Sequence, residues 1–166
     1  MNDAELIRAA LTALAFRDQD RLARLRAKYR PHHPRSETEQ LLHTTAICIR
    51  LHFNSNDTND SSSSSGTGKD GEDRPDPDRL ARFLAGARRA GPGYQAPDNF
   101  LDLEGVIRAL AGEPGILEHI DPTSLARILV FLVQYLTDTT PEIRNDFDHI
   151  IDQARQQIRR QVMNES

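Results

Sequence analysis

The sequence predicts an all-α fold: a single bundle of about six helices around one central apolar helix at 122–137, interrupted by a disordered acidic, Ser-rich insertion. Three observations carry this. Valine occurs only four times while Ala, Leu and Arg are plentiful, a composition that favours helix over strand. The nine prolines stand where helices would start or stop, since proline cannot continue the hydrogen-bond ladder. Apolar residues recur at steps of three and four, and no alternating strand pattern appears.

From Asp3 to Tyr29 the positions Ile7, Leu11, Leu14, Leu22, Leu25 and Tyr29 form one stripe, with Asp18 in the slot that breaks it. One long helix, kinked at Asp18, is the expectation; the alternative is that Asp18 caps a second helix from Gln19. Pro31 and Pro34 end this segment. Ser36 and Glu39 have capping-box spacing, and Leu42, Ala46, Ile49 and Phe53 then share a face, giving a helix over 36–53.

After the insertion, Asp78 is placed to cap a helix carrying Leu80, Phe83, Leu84 and Ala87, ended by Gly91 and Pro92. A helix over 98–111 presents Phe100, Leu103, Ile107 and Leu110, and a short turn through Ile116 to Ile120 follows. Asp121 with Pro122, and Thr140 with Pro141, repeat one start signal, an N-cap followed by proline at the first helical position. The first launches the helix over 122–137, apolar on nearly every side and therefore central. The second launches a last helix over 141–162, with Ile143, Phe147, Ile150, Ile151, Ala154 and Ile158 on one stripe.

The stretch SNDTNDSSSSSGTGKDGEDRPDPD, residues 55–78, contains no large apolar residue. Two helices over 1–53 bury too little surface to stand alone, so they are expected to pack on the C-terminal four-helix part, 78–166. The segment over 54–77 then reads as a disordered insertion within one domain spanning 1–166. About 24 flexible residues reach roughly 27 Å, enough to span a helix.

The net charge of −4 exerts no global pull on nucleic acid, but its distribution is uneven. Residues 1–53 hold nine Lys/Arg against six Asp/Glu, while residues 54–78 hold two against seven. Arg17, Arg21, Arg24 and Lys28 are spaced to form a basic row opposite Leu22 and Leu25, suited to an acidic partner or to phosphates. No aromatic residue interleaves them, so base stacking is not indicated. Tyr94, held in GPGYQAP between glycines and prolines, is either a partner-binding tip or a plug at the end of the bundle.

Catalytic patterns are sparse. Cys48 is the only cysteine, which excludes an intrachain disulfide and fits a reducing compartment. No phosphate-binding loop, nucleophile elbow or Glu-x-x-His pair occurs, so neither cofactor nor metal is expected. The N-terminus lacks a basic region followed by an apolar one, and the most apolar run, Ile128 to Leu136, is far below the roughly 20 residues of a membrane span. A cytoplasmic, non-enzymatic interaction or accessory module is the leading expectation, working with a protein partner or a second copy of itself.

The stretch RNDFDH, Arg144 to His149, resembles the R-x4-H pattern of the HEPN family of all-α ribonucleases over those six residues and their helical context. The resemblance implies a ribonuclease in which dimerisation brings Arg144 and His149 from two copies to one cleft. Positions five apart on a helix are about 140° apart, so the pair does not converge within one chain. A nucleic-acid-associated protein using the basic row is the third reading.

Overall fold

A computed structural model of the protein describes residues 3–28, 34–54, 77–90, 94, 97, 99–113 and 115–165. The fold is all-α, as the composition predicts, with no strand among the described residues. In chain order the helices are α1 (Asp3–Ala15), α2 (Gln19–Lys28), α3 (Pro34–Asn54), α4 (Pro77–Arg89) and α5 (Phe100–Leu110). A 3-10 turn over Leu117–His119 precedes α6 (Pro122–Thr139), α7 (Pro141–Asn145) and α8 (Phe147–Glu165).

The expected first helix is two helices. Its end is a Schellman closure: Arg17 N–H donates to the Leu14 carbonyl at 3.1 Å and Asp18 N–H to the Ala13 carbonyl at 2.8 Å. This turn requires a left-handed residue, and Arg17 supplies it with φ 59. Asp18 then starts α2, its Oδ1 accepting from Arg21 N–H at 3.1 Å. The same closure ends α5, where Gly112 takes the positive-φ position that glycine ordinarily fills. An arginine there carries a backbone cost that glycine does not. Arg17→Gly is therefore expected to be more stable than Arg17→Ala by about 1 kcal/mol, since both lose the side chain and only one keeps the strain. Equal urea midpoints for the two would contradict the left-handed assignment.

The expected last helix is also two. Asp146 leaves helical geometry at φ −117 and ψ 22, and its carbonyl accepts from Ile150 N–H to begin α8. The predicted stripe survives the break in its first part: Ile143, Phe147, Ile150, Ile151 and Ala154 are all buried, while Ile158, its last member, is half-buried.

α6 is central, as predicted. Ile128, Leu129, Phe131, Leu132, Val133 and Leu136 are buried on it, and it packs on α1, α3, α5 and α7. Gln134 is buried too, its Nε2 donating to the Leu14 carbonyl of α1 at 3.0 Å. α3 buries a different, wider face than its predicted stripe implies: Leu41, Thr44, Thr45, Ile47, Cys48, Ile49 and Phe53 are buried, while the stripe's Leu42 and Ala46 are only half-buried. It lies along α8 and α6. One apolar cluster runs from Leu6 and Leu11 through Ile49 to Leu132 and Ile151, so helices on both sides of the 55–76 segment share it.

The insertion itself lies outside the described residues, but its two ends lie side by side. Arg79 Nη1 donates to the Phe53 carbonyl at 2.8 Å, and the Phe53 and Phe83 rings meet at 5.8 Å. No helix of the described residues is long and apolar enough to cross a membrane.

Candidate functional site

α2 is attached to the rest of the protein mainly through α1. Leu22 and Leu25 are its buried residues, and the other eight are exposed. Arg21, Arg24 and Lys28 fall within about 60° of one another on its outer side. Arg24 Nε donates to the Asp20 carbonyl at 3.3 Å, and Arg26 pairs with Glu37 of α3 at 3.1 Å. The remaining cationic heads project into solvent, where a partner's charge would be met at low desolvation cost.

Arg17, the first member of the predicted row, has left it. The break before α2 turns its side chain the other way, to Asp138 near the end of α6, with Nη2 and Oδ2 3.0 Å apart. Its guanidinium lies 4.8 Å from the centre of the Tyr94 ring. Tyr94 donates its hydroxyl to the same Asp138 oxygen at 2.5 Å, and its ring edges onto Phe131 and Tyr135 at 6.1 and 5.8 Å. Burial, followed by the hydrogen bond to Asp138, pushes the Tyr94 phenol above its ordinary range. Both ends of this side chain are thus committed within the bundle. It ties position 94 to α6 and to the α1–α2 turn.

Arg144 and His149 stand on separate helices. Arg144 is exposed on α7, its guanidinium 5.8 Å from the Phe16 ring, while His149 is exposed on α8 with Nε2 3.0 Å from Gln153 Nε2. The Asp146 break sends the two side chains to different neighbours. Cys48 is wholly buried, and its thiol is pushed up to about 12 by that burial, which holds it protonated and unreactive. His43 faces Gln157 at 3.3 Å. Among the described residues no three His, Cys, Asp or Glu side chains are grouped to hold a metal ion.

A group that sequence reasoning passed over is His52, at the end of α3. Its Nδ1 lies 2.9 Å from Thr140 Oγ1, and its ring edges onto Phe53 and Phe83. Burial, then the charge of Arg79, lowers its pKa from 6.5. Below that pH the unfolded chain binds more protons at this position than the folded one, so stability falls as pH drops from 6.5 towards the folded value. His52→Gln is expected to flatten that part of the stability–pH curve, measured by urea unfolding between about pH 7 and 5. A slope identical to the parent's would rule the assignment out.

No protein family, curated protein or solved structure matches the chain.

Proposed function

We propose that the chain is a non-enzymatic helical interaction module, that its docking face is the outer side of α2, and that its partner is a protein with an acidic surface. The observation that carries this reading is the presentation of Arg21, Arg24 and Lys28 on a helix anchored by only two buried leucines. Such a helix exposes more cationic surface than its own packing requires. The absence of aromatic residues among its exposed positions, which leaves bases nothing to stack on, favours an acidic protein over single-stranded nucleic acid. The lone, buried thiol of Cys48 fits work in the cytoplasm.

The test compares the parent with an Arg21→Glu/Arg24→Glu variant in cross-linked capture from lysate, together with light scattering of each purified protein. A partner held by the parent, released by about 0.5 M salt and lost on charge reversal supports the reading. Equal recovery by both proteins, or a strictly monomeric parent that recovers nothing, refutes it. Salt-sensitive capture of nucleic acid instead would move the assignment to a nucleic-acid-binding role.

A further inference from the structure

The end of α3, the start of α4 and the end of α6 enclose a cleft of about 410 Å³, open to solvent on one side. That volume lies within the range of small-molecule sites, roughly 300–1,000 Å³. Its floor is aromatic and stiff: Phe83 meets Tyr135 edge to face at 5.3 Å, and Tyr135 stacks on Phe131 behind it. Gly86 fixes the depth of that floor. A Cβ at Gly86 would come within 2.8 Å of the Tyr135 hydroxyl, so the bare backbone of α4 is what lets the phenol lie there. Burial raises the Tyr135 pKa above its ordinary value of 10.0, and the hydroxyl, like any tyrosine's, is protonated at neutral pH.

The rim is cationic in a place where cations are costly. Arg79 and Arg82 stand three residues apart in the first two turns of α4, at the positive end of the helix dipole, where acidic residues are the stabilising choice. Asp78 offsets part of this, but it lies outside the cleft. Arg79 is used in part to cap the Phe53 carbonyl. Arg82 is exposed and has no hydrogen bond or ion pair among the described residues. Among the described residues no carboxylate lines this cleft, whereas two other clefts, of about 270 and 470 Å³, both include Asp102.

We infer that this cleft binds a small aromatic oxyanion, an aryl carboxylate or a nucleoside phosphate, with its ring against Phe83 and Tyr135 and its charged group on Arg82. A bound anion relieves the repulsion between the two arginines and their helix N-terminus, and the Tyr135 hydroxyl flanks it, while the Thr139 hydroxyl donates to the Tyr135 carbonyl at 2.7 Å. The site is separate from the outer face of α2 and does not rest on the reading of that face.

The test is calorimetric titration of the full chain with naphthoate, adenosine monophosphate and inorganic phosphate in turn. At least one aromatic anion is expected to bind with a stoichiometry of one and roughly tenfold more tightly than phosphate. Arg82→Ala is expected to weaken it about tenfold while leaving the melting temperature in place, and Arg82→Lys to retain part of the affinity. Preference for naphthoate or for the nucleotide identifies which source of oxyanion the site takes. Failure of both to bind, phosphate binding as tightly as either, or indifference to Arg82→Ala overturns the proposal. The Arg21→Glu/Arg24→Glu variant should bind these anions like the parent, so the two proposals fail independently.

Discussion

Phe131→Ala is expected to lower the unfolding free energy by about 3–5 kcal/mol, the range for emptying a buried aromatic position. Phe131 is 1% exposed at the middle of α6, stacked face to face on Tyr135 at 5.7 Å and edged by Tyr94. Removing the ring opens a cavity beneath both tyrosines, and neither can fill it without giving up the contacts it now makes with Asp138 or Phe83. The cost therefore combines lost transfer energy with a void that does not collapse. Urea unfolding measures it. A loss below about 1 kcal/mol would contradict the packing described for α6.

Two adjacent threonines of α3 are expected to respond with opposite signs. Thr44 is wholly buried and its hydroxyl has no hydrogen-bond partner among the described residues; Gln40, one turn earlier, likewise leaves its Nε2 without one among them. Thr45 is equally buried, but its hydroxyl donates to the Leu41 carbonyl at 2.7 Å. Valine matches threonine in shape and helical stiffness, so each replacement changes the hydroxyl and little else. Thr44→Val removes an unpaid desolvation cost and is expected to raise stability by about 1–2 kcal/mol. Thr45→Val gives up a made bond and is expected to lower it by about 0.5–1.5 kcal/mol. Thermal unfolding of the pair decides it: shifts of the same sign would mean that the two hydroxyls do not differ as described.

The helices were legible where the chain marks their ends chemically. Asp121 accepts from the Thr123 and Ser124 N–H groups, as its place before Pro122 predicts. Thr140 marks the start of α7 just as clearly, yet its side chain makes no cap; its hydroxyl lies 2.9 Å from His52, and no local pattern announces a partner 88 residues away. The break at Asp18 was legible only as the alternative to a kink, and the break at Asp146 was not marked at all, for another reason. Each aspartate fills a polar slot of an otherwise continuous apolar stripe, and such a stripe looks the same for one helix as for two that turn back on one core.

That distinction governed the basic row. Arg21, Arg24 and Lys28 needed only local helix geometry to be found, whereas the fate of Arg17 depended on the turn that precedes α2. The cleft was not legible at all. His52, Arg82 and Tyr135 come from three helices, and nothing in their spacing says that those helices end together.

The closeness of Phe53 and Arg79 bears on how the chain holds together as a covalent object. The link through residues 55–76 joins two points already in contact, and the apolar cluster it bridges is contributed by both halves. A protease cut within that link would leave the halves, 1–54 and 77–166, joined by the buried interface of α1 and α3 with α6 and α8. Unfolding would then become a dissociation, and the melting temperature of the nicked protein would climb with its concentration.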